Sequence, residues 1–302
     1  MEEIKTVVSV ITITYNHEPF IAKTIEGVLM QQVNFPMEFI IAEDCSSDGT
    51  RAICERYWEQ YPELIRLITS KSNVGAVANE RRAMQTAQGK YIAFCEGDDY
   101  WTDPLKLQKQ VDFLEKNPEY SVCFHRYRNY DDEKGNWKDD GCSDLFNDCR
   151  ITGCDISTEL FFSRWITQPL SMVYRRSSFD LDIALQYNYY RDMHQIYHLL
   201  QTGKGYLFAF DGGVRIIHQE GMHSMTSVES QCEVALNIAS ELYKINKNKI
   251  VKKYFEDTLQ WVIYEYCGRL KNKNRALIYT FMLFFYQKKI GRFGANFKRV
   301  LR

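Results

Sequence analysis

Lys90-Tyr91-Ile92-Ala93-Phe94-Cys95-Glu96-Gly97-Asp98-Asp99-Tyr100-Trp101 is the stretch whose reading decides the fold. Its first half is short, β-branched and aromatic, and it follows Gly89, so it predicts a buried strand. Two adjacent carboxylates stand where that strand ends. In an open α/β sheet this is the carboxyl edge, where ligands bind. Oxygen donors placed there suit Mg²⁺ or Mn²⁺ bridging a diphosphate. Asp103-Pro104 comes next, and Pro104 suits a first helical position. Asp103 therefore reads as a helix cap, which leaves Asp98 and Asp99 for chemistry.

Upstream, strand and helix alternate. Residues 7–13 form a β-branched run, and residues 21–31 carry apolar side chains at helical spacing. A second strand covers 39–42, followed by the turn Cys45-Ser46-Ser47-Asp48-Gly49-Thr50, a helix over 51–61 and a strand over 65–68. Asn73-Val74-Gly75 turns the chain into a helix that ends near Gly89. Strands separated by helices of this length predict right-handed crossovers and a mostly parallel sheet covered on both faces. Downstream, a polar amphipathic helix is expected over 104–117 and a strand over 121–128. Residues 130–155, rich in Asp, Gly, Asn and Cys, read as an excursion over the surface. A strand over 170–174, a helix over 193–200 and a strand over 214–218 follow, and from about Ser227 the pattern is helical. The expected organisation is an α/β domain over 1–224, with a first half to about 129 and a second half over 130–224. A C-terminal helical region covers 225–302.

The 302 residues are 45% hydrophobic and 25% charged, which is ordinary for a globular protein and argues against a disordered chain. A net charge of −1 argues against a nucleic-acid binder. The 20 Tyr and 18 Phe suit either a core or a sugar site. Nine cysteines without a C-x-x-C pair, behind the charged opening Met1-Glu2-Glu3-Ile4-Lys5, lead us to expect reduced thiols, no signal peptide and a cytoplasmic protein.

Four ordered motifs now add up. Val8-Ser9-Val10-Ile11-Thr12-Ile13-Thr14-Tyr15-Asn16, Ala42-Glu43-Asp44-Cys45-Ser46-Ser47-Asp48-Gly49-Thr50, Asn73-Val74-Gly75 and the Asp98-Asp99 segment resemble the family 2 glycosyltransferases, which have the GT-A fold. The resemblance is continuous over about residues 7–129 and weaker to about 224. It implies transfer of a sugar from a nucleotide diphosphate, usually UDP, with inversion at the anomeric carbon. On the matching positions it implies that Thr14 and Tyr15 pack against the nucleobase and that Asp44 accepts a hydrogen bond from uracil. Asn73 lies near the donor, Asp98 near the ribose and metal, and Asp99 on the divalent cation. Asp192, in Tyr190-Arg191-Asp192-Met193-His194, occupies the place of the acceptor-side base, with Asp180 and Asp182 as rivals. His218 matches a late element that completes the metal shell, although a lone His is more often structural. His194, His198 and His223 take no role beyond acceptor contacts, while Trp101 and Trp165 suit sugar stacking or the core.

The chain also departs from the family pattern. Ile13 replaces a usual Pro, Glu43 the first acid of an Asp-Asp pair, and Glu80-Arg81 an Arg-Asn. The pyrophosphate-facing cation is then Arg81 or Arg82. The Gln-x-x-Arg-Trp element of processive members is missing after Asp192, so single-sugar addition is expected. A nucleotidylyltransferase would want a Gly-rich phosphate loop where Thr14-Tyr15-Asn16-His17 stands, and an inactive sugar-nucleotide-binding scaffold would not need Asp98, Asp99 and a base.

From Arg269 onward every charged residue is basic, and residues 276–286 are apolar except for Thr280. Eleven residues are too few to span a bilayer, which takes about 20. An apolar helix flanked by cations can lie in the interface of an anionic membrane; burial against the catalytic domain or a partner subunit is the alternative. The resemblance implies a bacterial surface-polysaccharide enzyme, and the tail predicts that it is held peripherally on the inner face of the plasma membrane. Its acceptor would be a glycan, carried on a polyprenyl diphosphate, and its C-terminal helices could form an oligomer.

Overall fold

The computed structural model describes residues 6–138, 140–148, 150–164, 166–218, 227–287 and 296. Two compact units divide it: Met1–Leu185 with Gln195–Ile217, and Gln186–His194 with His218–Arg302.

The first unit opens with β1 (Val8–Thr14), α1 (Ile21–Leu29), β2 (Met37–Glu43), α2 (Thr50–Gln60), β3 (Ile65–Thr69), α3 (Ala76–Thr86) and β4 (Tyr91–Phe94). Their β-branched and aromatic residues pair in parallel, β3–β2–β1–β4, with Val10 opposite both Phe39 and Ala93. Both faces of β1, β2 and β4 are covered, so these runs are apolar rather than alternating, while β3 at the sheet edge exposes Arg66 and Thr69. The helix α1 buries Ile21, Ile25 and Val28 against that core.

After β4 come β5 (Tyr100–Trp101), α4 (Lys106–Lys116), β6 (Tyr120–Asp131), β7 (Asn136–Lys138), β8 (Gly153–Ile156), α5 (Thr158–Ser163), β9 (Val173–Arg175), α6 (Asp192–Thr202) and β10 (Lys204–Ile217). The strand β9 is antiparallel to both β4 and β6, so β6 runs in the direction of β4. β10 is parallel to β6, and β5 is antiparallel to β10. The carboxyl ends of β1, β2, β3, β4, β6 and β10 therefore lie along one edge.

Three expected elements differ. Residues 169–171 form a 3-10 turn closed by Gln168 and Ser171, and the strand starts only at Val173; Trp101 Nε1 donates to the Leu170 carbonyl within that turn. The polar stretch 130–155 is not wholly a surface excursion, since β7 pairs with β6 and β8 with β10. β10 is 14 residues long, where only its last third was predicted. Register shifts around Asp211 and Gly213 break its alternation and hide it from pattern reading.

The second unit contains α7 (Val228–Ile245), α8 (Lys249–Cys267) and α9 (Lys273–Gln287). Leu236 packs with Ala239, Phe255, Leu259, Ile263 and Leu283 in one cluster, and Cys232, Val262, Tyr266 and Ala276 form another. The apolar segment expected over 276–286 is thus two-sided: Ala276, Thr280 and Leu283 are buried while Ile278, Phe281 and Phe285 face solvent. Two basic residues of this region are matched by acids. Arg275 bonds Glu229 and Glu233, and Arg269 lies beside Glu265. Among the described residues no helix is long and apolar enough to cross a membrane.

Candidate active site

At the carboxyl edge of the first unit, two loops are laced together. Asn16, after β1, and Cys45, after β2, both adopt left-handed backbone conformations. That geometry, tolerable for Asn, lets the Asn16 N–H donate to Ser46 Oγ and Asn16 Oδ1 accept from the Ser47 N–H at 2.8 Å. The His17 N–H donates to Thr50 Oγ1, and the Glu18 N–H to Asp48 Oδ2. Thr14 is buried beneath this lacing, whereas Tyr15 stands 41% exposed at the rim.

Asp44 is buried and joins a third loop. Its Oδ1 accepts from Ser70 Oγ at 3.0 Å and from the Val74 N–H at 2.9 Å; its Oδ2 accepts from the Gly75 N–H at 2.9 Å. Asn73 Oδ1 shares that Gly75 N–H. Gly75 has φ +86°, which a side chain would strain, so the turn that brings these N–H groups to Asp44 needs glycine. The adjacent Glu43 is fully buried and bonded to Arg51 Nε at 2.6 Å, a structural acid under the loop. Arg82 donates to Asn79 Oδ1 and to the carbonyls of Thr69 and Glu43. It is thereby occupied in holding strand ends and is a poor candidate for the expected cation. Arg81 pairs with Asp182 at 3.0 Å.

The acidic turn after β4 is positioned from below. Thr24 Oγ1 on α1 lies 2.7 Å from the Asp99 carbonyl and 3.0 Å from that of Gly97, and donates its proton between them. A Cβ on Gly97 would stand 2.6 Å from Thr14 Oγ1 and 2.7 Å from His17 Nδ1, so only glycine lets the turn settle on the end of β1. Asp99 is buried, and its Oδ1 accepts from the Ile216 N–H at 3.0 Å. Burial, and then the charge of Asp98, push its carboxyl well above the ordinary range; the Ile216 hydrogen bond and Arg215 act weakly the other way. Asp98 Oδ2 lies 3.9 Å from His17 Nε2. Behind the turn, Lys106 Nζ sits 3.7 Å from the Trp101 ring centroid, fully buried and without a hydrogen-bond partner among the described residues. Burial pushes this amine down to about 7. Trp101 therefore belongs to the core.

Among the described residues no group of three or more His, Cys, Asp and Glu side chains gathers as a metal cage. Two adjacent carboxylates nevertheless fit a hard divalent cation that draws its remaining ligands from water and substrate phosphates. Burial and then the charge of Asp98 raise Asp99, and such a cation would favour its ionised form.

Thr14, Tyr15, Asp44, Asn73, Asp98 and Asp99 thus share one edge of the first unit. Asp192 and His218 fall in the second unit. Asp192 opens α6 and accepts from the Met193 N–H at 2.9 Å. The segment before it is held by Glu241 of α7, whose carboxylate accepts from the Asn188 and Tyr189 N–H groups at 3.2 and 2.8 Å. Tyr254 of α8 is pushed up to about 12, chiefly by burial and in smaller part by the charge of Asp192. His218 is buried directly after β10; His223 and Trp165 lie outside the described residues. Sequence reading passed over Thr24, Gly97 and the Ile216 N–H. Gly97, wedged between acids, was the one visible signal.

A family model described as glycosyl transferase family 2 matches residues 9–180. That is more than half of the chain, which therefore belongs to the family 2 glycosyltransferases. An uncharacterized protein of Mycobacterium tuberculosis is 41% identical over 168 residues, 56% of this chain and 46% of that one. The Escherichia coli UDP-Glc:alpha-D-GlcNAc-diphosphoundecaprenol beta-1,3-glucosyltransferase WfaP is 35% identical over 129 residues, 42% of this chain and 47% of its own. The chain spans about half the length of the curated relatives it matches. The structure of S. aureus TarS in complex with UDP-GlcNAc superposes with a TM-score of 0.64 at 16% identity, over 93% of this chain and 81% of that one. Such a likeness shows the fold, which is GT-A.

Proposed function

We propose that the protein is an inverting, non-processive glycosyltransferase. It would move a single sugar from a UDP-sugar to a hydroxyl of a lipid-linked glycan in bacterial surface-polysaccharide assembly. The observation that carries this reading is the meeting of Thr14, Asp44 and the Asp98–Asp99 turn at one carboxyl edge, in a chain of this family. The lipid-linked acceptor rests on the likeness to WfaP, and the polysaccharide setting on the family resemblance.

In this reading Tyr15 covers the uracil ring, and Asp44, with the Asn73 loop it orders, binds the ring's polar edge. Asp98 and Asp99 hold Mg²⁺ or Mn²⁺, with His218 as a further ligand on the family resemblance. The cation supplies charge neutralisation for the departing diphosphate. Asp192 takes the proton of the acceptor hydroxyl as its oxygen attacks the anomeric carbon and the bond to the diphosphate breaks. Glu241 holds the backbone from which Asp192 is presented. The exposed stripe Ile278, Phe281 and Phe285 supports attachment to an anionic membrane face, helped by the basic residues that follow it in sequence; self-association through the same helices is the competing use. A screen of nucleotide sugars for donor hydrolysis, with Mn²⁺ present and absent, tests the reading. Mn²⁺-dependent release of UDP from at least one sugar is expected, and indifference to every donor would reject it.

A further inference from the structure

One aromatic surface of the first unit plays no part in that mechanism. The hairpin of β6 and β7 projects from the same carboxyl edge as the acidic turn. The register leads from one to the other: Asp99 Oδ1 holds the Ile216 N–H, Ile216 lies opposite Tyr130, and Tyr130 lies opposite Trp137. With strands spaced about 4.8 Å apart, Trp137 stands two strands from Ile216. Directly paired residues share a face of the sheet, so Tyr130 and Trp137 stand side by side, with ring centroids 5.0 Å apart at 56°. Arg128, two residues before Tyr130 and on the same face, lays its guanidinium 3.8 Å from the Trp137 ring centroid. Trp137 is 48% exposed.

The hairpin does not need these rings to hold together. On its opposite face, buried Asp131 accepts from Lys138 Nζ at 2.6 Å and from the Lys134 N–H at 3.1 Å. Half-exposed Trp137 and partly buried Tyr130 stand tilted beside the exposed Arg128 guanidinium on this ladder, and together offer apolar ring surface with polar donors next to it. This matches a pyranose ring, whose C–H face is apolar and whose edge carries hydroxyls.

We propose that Arg128, Tyr130 and Trp137 form a binding platform for a sugar ring of the acceptor glycan, with the ring packed on the exposed aromatic surface and its hydroxyls bonded to Arg128. This rests on the glycosyltransferase reading, which requires a saccharide to approach this edge, and it adds where that saccharide is gripped. The platform acts in binding and not in the chemical step.

The test uses the full chain with methyl α- and β-glycosides of glucose, galactose, mannose and N-acetylglucosamine as probes, read by saturation-transfer NMR. At least one glycoside should receive saturation at its ring protons. Trp137→Ala should reduce that signal about fivefold, as expected for loss of an aromatic contact, while Trp137→Phe retains most of it. UDP affinity in Mn²⁺ should be the same in all three proteins. Undiminished saturation in Trp137→Ala, or none with any glycoside in the parent, overturns the platform. Glycoside saturation that depends on Trp137 in a protein that fails to bind UDP would uphold the platform and reject the donor assignment instead.

Discussion

Asp99 Oδ1 accepts the backbone N–H of Ile216 at 3.0 Å, which ties the acidic turn after β4 to a strand that begins more than a hundred residues later. The turn is also held by Thr24 and closed down by Gly97, so its geometry is set before any ligand arrives. Preorganisation of this kind is what an electrostatic site requires.

Thr24→Val keeps the shape of the side chain and removes its hydroxyl. The Gly97 and Asp99 carbonyls then lose their donor, at a cost of about 1–3 kcal/mol for buried groups left unpaired. Thermal unfolding should register that loss, and Mn²⁺-dependent UDP binding should weaken with it. Unchanged Tm and unchanged affinity together would show that α1 does not position the turn.

Asp192→Asn retains size and hydrogen bonding but cannot take up the acceptor proton at neutral pH. Transfer should fall by about 10²–10⁴-fold while UDP binding persists. Glu241→Gln, which weakens the hold on the Asn188 and Tyr189 N–H groups, should lower kcat less and leave donor KM unchanged. Near-normal transfer in Asp192→Asn would move the base to Asp180 or Asp182.

Lys106 links stability to pH. Its folded-state value of about 7 lies below the ordinary lysine value because the buried cation is poorly solvated. Between about pH 7 and 10 the unfolded chain binds more protons at this position than the folded one, so stability from this group rises with pH across that window. The slope cannot exceed about 1.4 kcal/mol per pH unit. Chemical denaturation at several pH values should show the rise in the parent and its loss in Lys106→Met. A parent that is flat or falling relative to the variant would contradict a buried, displaced amine.

Attachment to a membrane predicts a salt response. The full chain should sediment with anionic liposomes at low ionic strength and release as salt rises, because the charge attraction is screened beyond roughly 10 Å at 0.1 M. Phe285→Ser, on the exposed side of α9, should weaken sedimentation without lowering Tm. A chain that stays in the supernatant at low salt is not held this way.

The parallel half of the fold was legible because β1, β2 and β4 are largely buried on both faces and each of its strands leads to a turn with its own chemistry: Asn16, Cys45-Ser46-Ser47, Asn73-Val74-Gly75 and Gly97-Asp98-Asp99. Most of β10 was hidden, since its bulges around Asp211 and Gly213 erase the two-residue period. The strand expected at residue 170 starts later because Leu170 supplies a carbonyl to Trp101, a tertiary demand with no local signature. Thr24 escaped notice for the same reason: a threonine on an amphipathic helix reads as filler until the turn it holds is folded against it. The roles of Arg81 and Arg82 could not be separated by spacing, and only the partners of each guanidinium distinguish them.

The most direct measurement is calorimetric titration of UDP into the full chain, with Mn²⁺ and with chelator, in the parent and in Asp99→Ala. Binding in the parent that requires Mn²⁺, and its loss in a folded Asp99→Ala protein, is the expected result. Binding indifferent to chelator, or parent-like affinity in Asp99→Ala, would contradict a donor site built on the acidic turn.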